Sequence, residues 1–183
     1  MKYPVYVYGS SALRKGTKEI TKDYEGLDKL IEDMFETMYA SDGVGLAAPQ
    51  IGKNARLFVV DTSPLEDDPE ADGFKCALIN AEIYEYGEEG EYFEEGCLSV
   101  PGIHEDVIRP SVIKMRYMNA DFEEKDETFS GYAARVIQHE YDHLEGKMFV
   151  DRVSPLRRQL IKSKLDKIAK GDFKSVFPCK LVK

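Results

Sequence analysis

Gln138-His139-Glu140-Tyr141-Asp142-His143-Leu144 is an H-E-x-x-H sequence inside a stretch of helical character. Two histidines four residues apart lie one above the other on a helix face, close enough to share one metal ion. A glutamate directly after the first histidine can reach a water on that metal and take its proton. The chain contains three histidines, His104, His139 and His143, and this one motif uses two of them. Strands precede and surround the motif without a regular βαβ alternation. The fold class is therefore expected to be α+β, a single compact domain with mixed or antiparallel β-sheets around a central H-E-x-x-H helix.

Outward from the motif, Ser130 is positioned to cap the helix start, and the helix should run to about Glu145 and stop at Gly146. Leu156, Leu160, Ile161, Leu165 and Ile168, after Ser154-Pro155, predict a final helix ending at Gly171. Upstream, Leu27, Leu30, Ile31, Met34, Phe35 and Met38 recur at helical spacing, so 25–41 reads as an amphipathic helix whose methionines fill core. Arg56–Asp61, Ala77–Tyr86 and Glu91–Phe93 read as strands. Residues 104–119 are β-rich and interrupted by Pro110, and Asn119–Phe122 turns into a further strand ending near Phe129. Ser63–Gly73 (SPLEDDPEADG) is acidic and proline-punctuated, hence an exposed loop.

A chain of 183 residues, 43% apolar and 32% charged, suits one globular domain over 1–183 with a basic C-terminal helical segment at about 152–183. No apolar run is long enough to cross a bilayer, and the first residues lack a secretory pattern. Cys76, Cys97 and Cys179 make an odd set without disulfide-like spacing, which points to the cytoplasm. From Arg152 to Lys183 ten Lys/Arg stand against Asp166 and Asp172, a local +8. The other 151 residues carry 15 basic and 32 acidic groups, or −17. So acidic a body is a poor general nucleic-acid binder, and no DNA partner is expected. The basic tail reads either as a solvated helix face or as a docking segment for a polyanion such as ribosomal RNA, through Arg157, Arg158, Lys162 and Lys164.

A catalytic metal site needs a third protein ligand and an open position. His104, a carboxylate and Cys97 are the candidates. Cys97 stands in Glu94-Glu95-Gly96-Cys97-Leu98-Ser99-Val100-Pro101-Gly102, a glycine- and proline-flanked loop. A further segment, Gly43-Val44-Gly45-Leu46-Ala47-Ala48-Pro49-Gln50, permits close backbone approach and offers a side-chain amide at Gln50. Together GVGLAAPQ at 43–50, EGCLS at 95–99 and QHEYDHL at 138–144 resemble, in order, the three motifs of the peptide deformylase family, over most of residues 1–170.

That resemblance implies a metal-dependent hydrolase that removes the formyl group from formyl-methionine at the start of nascent polypeptides. It implies Cys97, His139 and His143 as metal ligands, and Glu140 as general base for metal-hydroxide attack. The Gln50 amide and the Leu98 backbone N–H would stabilise the oxyanion. Backbone groups of Val44, Gly45 and Gly96 would hold the peptide in an extended pose, and Val44, Tyr132 and Val136 would wall the methionine pocket. Arg109 would pair with Glu95 and fix the cysteine loop. Fe(II) is the implied native ion, although thiolate plus two imidazoles also suits Zn(II), Ni(II) or Co(II). H-E-x-x-H alone also fits a zinc-dependent endopeptidase with a downstream third ligand, or a non-enzymatic module with a closed four-ligand zinc site.

Overall fold

The computed structural model describes residues 2–63 and 73–183. The acidic stretch expected to loop out between Ser63 and Gly73 therefore lies, from 64 to 72, outside the described residues. The elements are β1 (Val5–Tyr6), α1 (Leu27–Ala40), β2 (Gly45–Ala47), β3 (Leu57–Asp61), β4 (Lys75–Tyr86), β5 (Gly90–Glu95), β6 (Glu105–Pro110), β7 (Val112–Met118), β8 (Glu124–Ser130), α2 (Gly131–Leu144), α3 (Pro155–Ile168) and β9 (Cys179–Lys180), with short 3₁₀ turns between some of them. The class is α+β.

Five strands form an antiparallel sheet in the order β2-β3-β4-β7-β8, while β5 and β6 pair as a separate antiparallel ribbon. Pro110 is the reason one β-rich stretch serves two sheets. It closes β6, lacks the N–H that would continue a ladder, and leaves the chain to restart at Val112. β4 bends at a bulge where Asn80 takes φ 52°, and its side-chain amide clamps both backbone groups of Ile20 at 2.9 and 2.8 Å. That clamp ties the N-terminal segment to the sheet.

α1 lays Leu30, Met34 and Met38 onto β2 and β3, with both methionines fully buried as core. Burying each such side chain stabilises the fold by roughly 1.5–3 kcal/mol. α2 follows β8 directly. Every residue from Ala133 to Glu140, and again from Asp142 to Leu144, is buried. Ala134, Ile137 and Leu144 join Phe58, Val60 and Leu78 of the sheet, and the polar face carrying His139, Glu140 and His143 turns away from that cluster.

Two boundary readings change. Ser130 stands at the N-cap of α2 but its side chain makes no capping hydrogen bond; the turn into the helix is made by Gly131 at φ 56°. The basic tail is helical only over Pro155–Ile168, where Ser154 Oγ accepts the Arg157 N–H at 3.3 Å. Beyond it the chain reverses at Gly171 (φ 83°) and returns to pair β9 in parallel with β1, Val5 against Cys179. Cys179 is thus half-buried. Two of the four cations considered for docking are engaged internally: Arg157 with Glu105 at 2.6 Å and Arg158 with Asp151 at 2.9 Å.

Candidate metal centre

Helical spacing puts His139 and His143 on one side of α2 with ring centroids 5.3 Å apart. The turn after β5 brings Cys97 to them, its Sγ 3.4 Å from His143 Nε2. One ligand atom each from Cys97, His139 and His143 falls within 4.8 Å of the others. Among the described residues no other group of three His, Cys, Asp or Glu does this. The third donor lies upstream of the histidines, which removes the endopeptidase reading with its downstream ligand. His104 does not join the set, so the site is not a closed four-ligand one.

Of the two imidazoles, His139 is oriented by a carboxylate, while His143 Nδ1 is buried without a hydrogen-bond partner among the described residues. His139 Nδ1 meets Glu95 at 2.9 Å, which leaves Nε2 turned toward Cys97. Burial, and then the neighbouring His139, push the His143 imidazole down to about 3, so it is neutral and able to ligate. Burial raises the Glu95 carboxyl, but hydrogen bonds from His139 and Arg109 outweigh it and hold Glu95 well below the usual carboxylate range.

Arg109 anchors this arrangement from within the core at 1% exposure. Its guanidinium forks onto Glu95 at 2.6 and 3.0 Å and reaches Asp142 at 2.8 Å. Arg135 adds a 3.0 Å contact to Glu95, and Arg152 clasps Asp142 at 2.5 and 2.6 Å. One connected set of charges therefore fixes β5, β6 and α2 in mutual position.

Glu140 is buried, with Oε2 making no hydrogen bond, and burial pushes its carboxyl up to about 7. A carboxylate poised there can accept and return a proton near neutral pH. Gly45 lies against it: a Cβ built on Gly45 would stand 2.5 Å from Glu140 Oε1. Gln50 is locked by its neighbours, Oε1 accepting the Ala47 N–H at 2.8 Å. Its Nε2 donates to Ser99 Oγ at 3.1 Å and faces Cys97 Sγ at 3.6 Å. The amide thus presents its donor end, not its carbonyl, toward the cysteine.

A cavity of about 680 Å³ opens over these groups. Val44, Gly45, Gln50, Glu95, Gly96, Cys97, Leu98, Tyr132, Val136, His139 and Glu140 all border it, while the buried Arg109 and His143 do not. The sequence reading missed Ser99, Arg135, Asp142 and Arg152, which hold the groups above, and also the chain at 174–177, which borders the cavity. Ser99 and Asp142 lie inside the motifs already singled out. Arg135, Arg152 and 174–177 carry no local signal.

A Cys-His-His donor set with both histidines buried and the cysteine partly so, on an α+β scaffold, with a carboxylate of raised pKa beside it and an amide donor aimed at the same cavity, defines a metal-dependent hydrolase. The sequence profile of the family described as Polypeptide deformylase matches residues 2–159, and the chain belongs to that family. It is 46% identical to a peptide deformylase of Christiangramia forsetii over 187 aligned positions, covering 96% of this chain and 95% of that one. It resembles the crystal structure of peptide deformylase from Thermotoga maritima (47% identity, TM-score 0.77, 85% of this chain and 99% of that one). It also resembles one from Legionella pneumophila (38% identity, TM-score 0.79, 93% and 96%).

Proposed function

We propose that this chain removes the N-terminal formyl group from formyl-methionine of newly synthesised polypeptides, releasing formate. The observation that carries this reading is the convergence of Cys97, His139, Glu140 and the Gln50 amide on one cavity bordered by Val44, Tyr132 and Val136, with His143 completing the donor set. A divalent ion suits the residues present. Two imidazoles and a thiol converge within 4.8 Å, Glu95 fixes His139, and no carboxylate of the donor set competes for the position. Once bound by Cys97, His139 and His143, such an ion supplies Lewis acidity toward a carbonyl and lowers the pKa of water toward ~7.

The remaining steps fall to the chain itself. Val44, Tyr132 and Val136 receive the methionine side chain, and backbone groups of Val44, Gly45 and Gly96 hold the peptide extended, in the manner of an added strand. Glu140 takes a proton from the attacking water and returns it to the amine released from formate. The Gln50 Nε2 and the Leu98 N–H donate to the oxygen on which negative charge develops. Arg109 and Glu95 hold the cysteine loop and His139 in register, so they act by positioning. The H-E-x-x-H helix α2 is the central element of one functional unit spanning the chain.

Fe(II) is the native ion in this reading, since the deformylase family resemblance points to it, and Zn(II), Ni(II) and Co(II) fit the same donors. Aerobic inactivation that nickel substitution prevents would support iron; indifference to oxygen would count against it. The substrates place the protein in the cytoplasm, on nascent chains. Lys162 and Lys164 of the basic C-terminal segment are the cations proposed to contact the ribosome, with no role for DNA or membrane. Unchanged ribosome co-sedimentation after both are neutralised removes that contact. The function itself is tested by formate release from formyl-Met-Ala-Ser, which Glu140→Ala must abolish without loss of metal.

A further inference from the structure

The walls of the cavity come from two different parts of the core. Tyr132 and Val136 pack with the main sheet and α2, and Phe93, on the β5–β6 ribbon, touches Tyr132 ring to ring with centroids 5.7 Å apart. The other wall is Pro101, Gly102 and His104 together with Lys174, Ser175, Val176 and Phe177, a strap between α3 and β9. The residues flanking the strap, Phe173 and Cys179, pack on the cluster that contains Val100, Ile103 and Ile168. The strap lies beyond residues 2–159, the part of the chain matched to the family.

Hydrogen bonds hold the strap internally and at its C-terminal end. Ser175 Oγ donates to the Phe177 carbonyl at 2.9 Å and accepts the Phe177 N–H at 3.2 Å. The Val5 N–H donates to the Pro178 carbonyl at 2.9 Å, and the Val182 N–H to Ser10 Oγ at 3.1 Å. This fixes the backbone while leaving Lys174 exposed and Val176 with its side chain wholly in solvent. A fully exposed valine on a fixed rim is an unused contact for a passing chain.

Charge gives that contact a sign. Of the cations on the cavity wall, Arg135 is committed to Glu95 and to the carbonyls of Val107 and Glu91. Lys174 makes no ion pair among the described residues. The exposed acids Asp42 and Glu94 border the same cavity from the glycine loop and from β5. A cavity of about 680 Å³ is of a size that takes a several-residue ligand, not a single side chain. A peptide held by its first residue extends onward at about 3.3 Å per residue, so its second and third side chains reach the rim.

We infer that the 174–177 strap is a specificity element for the residues just after the methionine, with Lys174 favouring an acidic side chain there and disfavouring a basic one. This rests on the deformylase reading above. Metal-loaded wild type, Lys174→Gln and Lys174→Glu enzymes are compared at low salt on formyl-Met-Asp-Ala, formyl-Met-Ala-Asp, their Lys counterparts and formyl-Met-Ala-Ala. Wild type is expected to prefer Asp over Lys in kcat/KM by about two- to fivefold at one of the two positions, the size of a single exposed charge contact. Lys174→Gln brings that ratio to about one and Lys174→Glu inverts it. Rates are referred within each enzyme to formyl-Met-Ala-Ala, and added salt flattens the wild-type preference. An Asp/Lys ratio identical in the three enzymes overturns the inference while leaving the proposed function intact. Failure of wild type to release formate from formyl-Met-Ala-Ala overturns that function, and the inference with it.

Discussion

Replacing Gly45 by alanine probes how tightly the fold places Glu140. Gly45 sits fully buried in β2, and its φ is not among the positive ones, so alanine suits the backbone. The added methyl would nonetheless stand 2.5 Å from Glu140 Oε1, 2.7 Å from Cγ and 2.8 Å from Cδ. Ordinary contact begins near 3.4 Å, so the carboxylate must retreat by roughly 0.9 Å. The neighbour is the end of a side chain, so the fold yields locally and survives. A displacement of about 1 Å in a reacting group can cost 10²-fold in rate, equivalent to about 2.7 kcal/mol of barrier. Formate release from formyl-Met-Ala-Ser should therefore fall by about two orders of magnitude in Gly45→Ala, with metal content unchanged by atomic absorption. Activity within about threefold of wild type would refute the claim that Gly45 leaves room for the base and fixes its place.

Gln50→Ala should retain its metal and lose about 10²–10³ in kcat, because the Nε2 donor facing Cys97 disappears; near-normal kcat would remove the oxyanion role. Arg109→Leu leaves Glu95 and Asp142 buried with one partner fewer, a change that costs about 3–5 kcal/mol. The melting temperature should then drop by roughly 6–20 °C, and a shift under about 2 °C in calorimetry would contradict the anchoring role. Asp151 accepts from Arg14, Arg158 and the Met148 N–H. Burial raises its carboxyl, but these contacts outweigh that and lower it below its ordinary value. A pKa depressed on folding contributes stability above the unfolded value of about 3.9 and loses it as pH falls through the folded one. Asp151→Asn should accordingly be less stable than wild type at pH 7, with the gap closing below about pH 4 in urea titrations; a gap independent of pH would exclude the linkage. Cys97→Ser should bind metal far more weakly, whereas full metal occupancy in that variant would remove Cys97 from the ligand set.

What could be read from the sequence was what local chemistry writes down. The apolar period of Leu27–Met38 placed α1 within two residues of its observed bounds, and the His139/His143 spacing placed both imidazoles on one side of α2. Gly171 did mark the end of a helical run, but three residues late, since α3 closes at Ile168 and the glycine serves the reversal that follows. The β5–β6 ribbon was not legible as a separate sheet. Its pairing of Gly90 with Pro110 is a tertiary choice that no run of six residues encodes. The same holds around the metal. Cys97, His139 and His143 stood inside motifs, but Arg135 and Arg152 acquire their meaning only when β5 and α2 bring Glu95 and Asp142 to them. The strap at 174–177 is the clearest case: a basic tail in the sequence, a cavity wall once β9 has paired with β1.

The central claim is that Cys97, His139 and His143 hold a metal beside a basic Glu140 to release formate from a formylated amino terminus. Mass spectrometry of formyl-Met-Ala-Ser incubated with metal-loaded protein tests it directly, alongside chelated protein and a Glu140→Ala variant of verified metal content. Formate and intact Met-Ala-Ser from the loaded wild type alone is the predicted result. Cleavage at the Met-Ala bond, or formate release that persists in both controls, would contradict it.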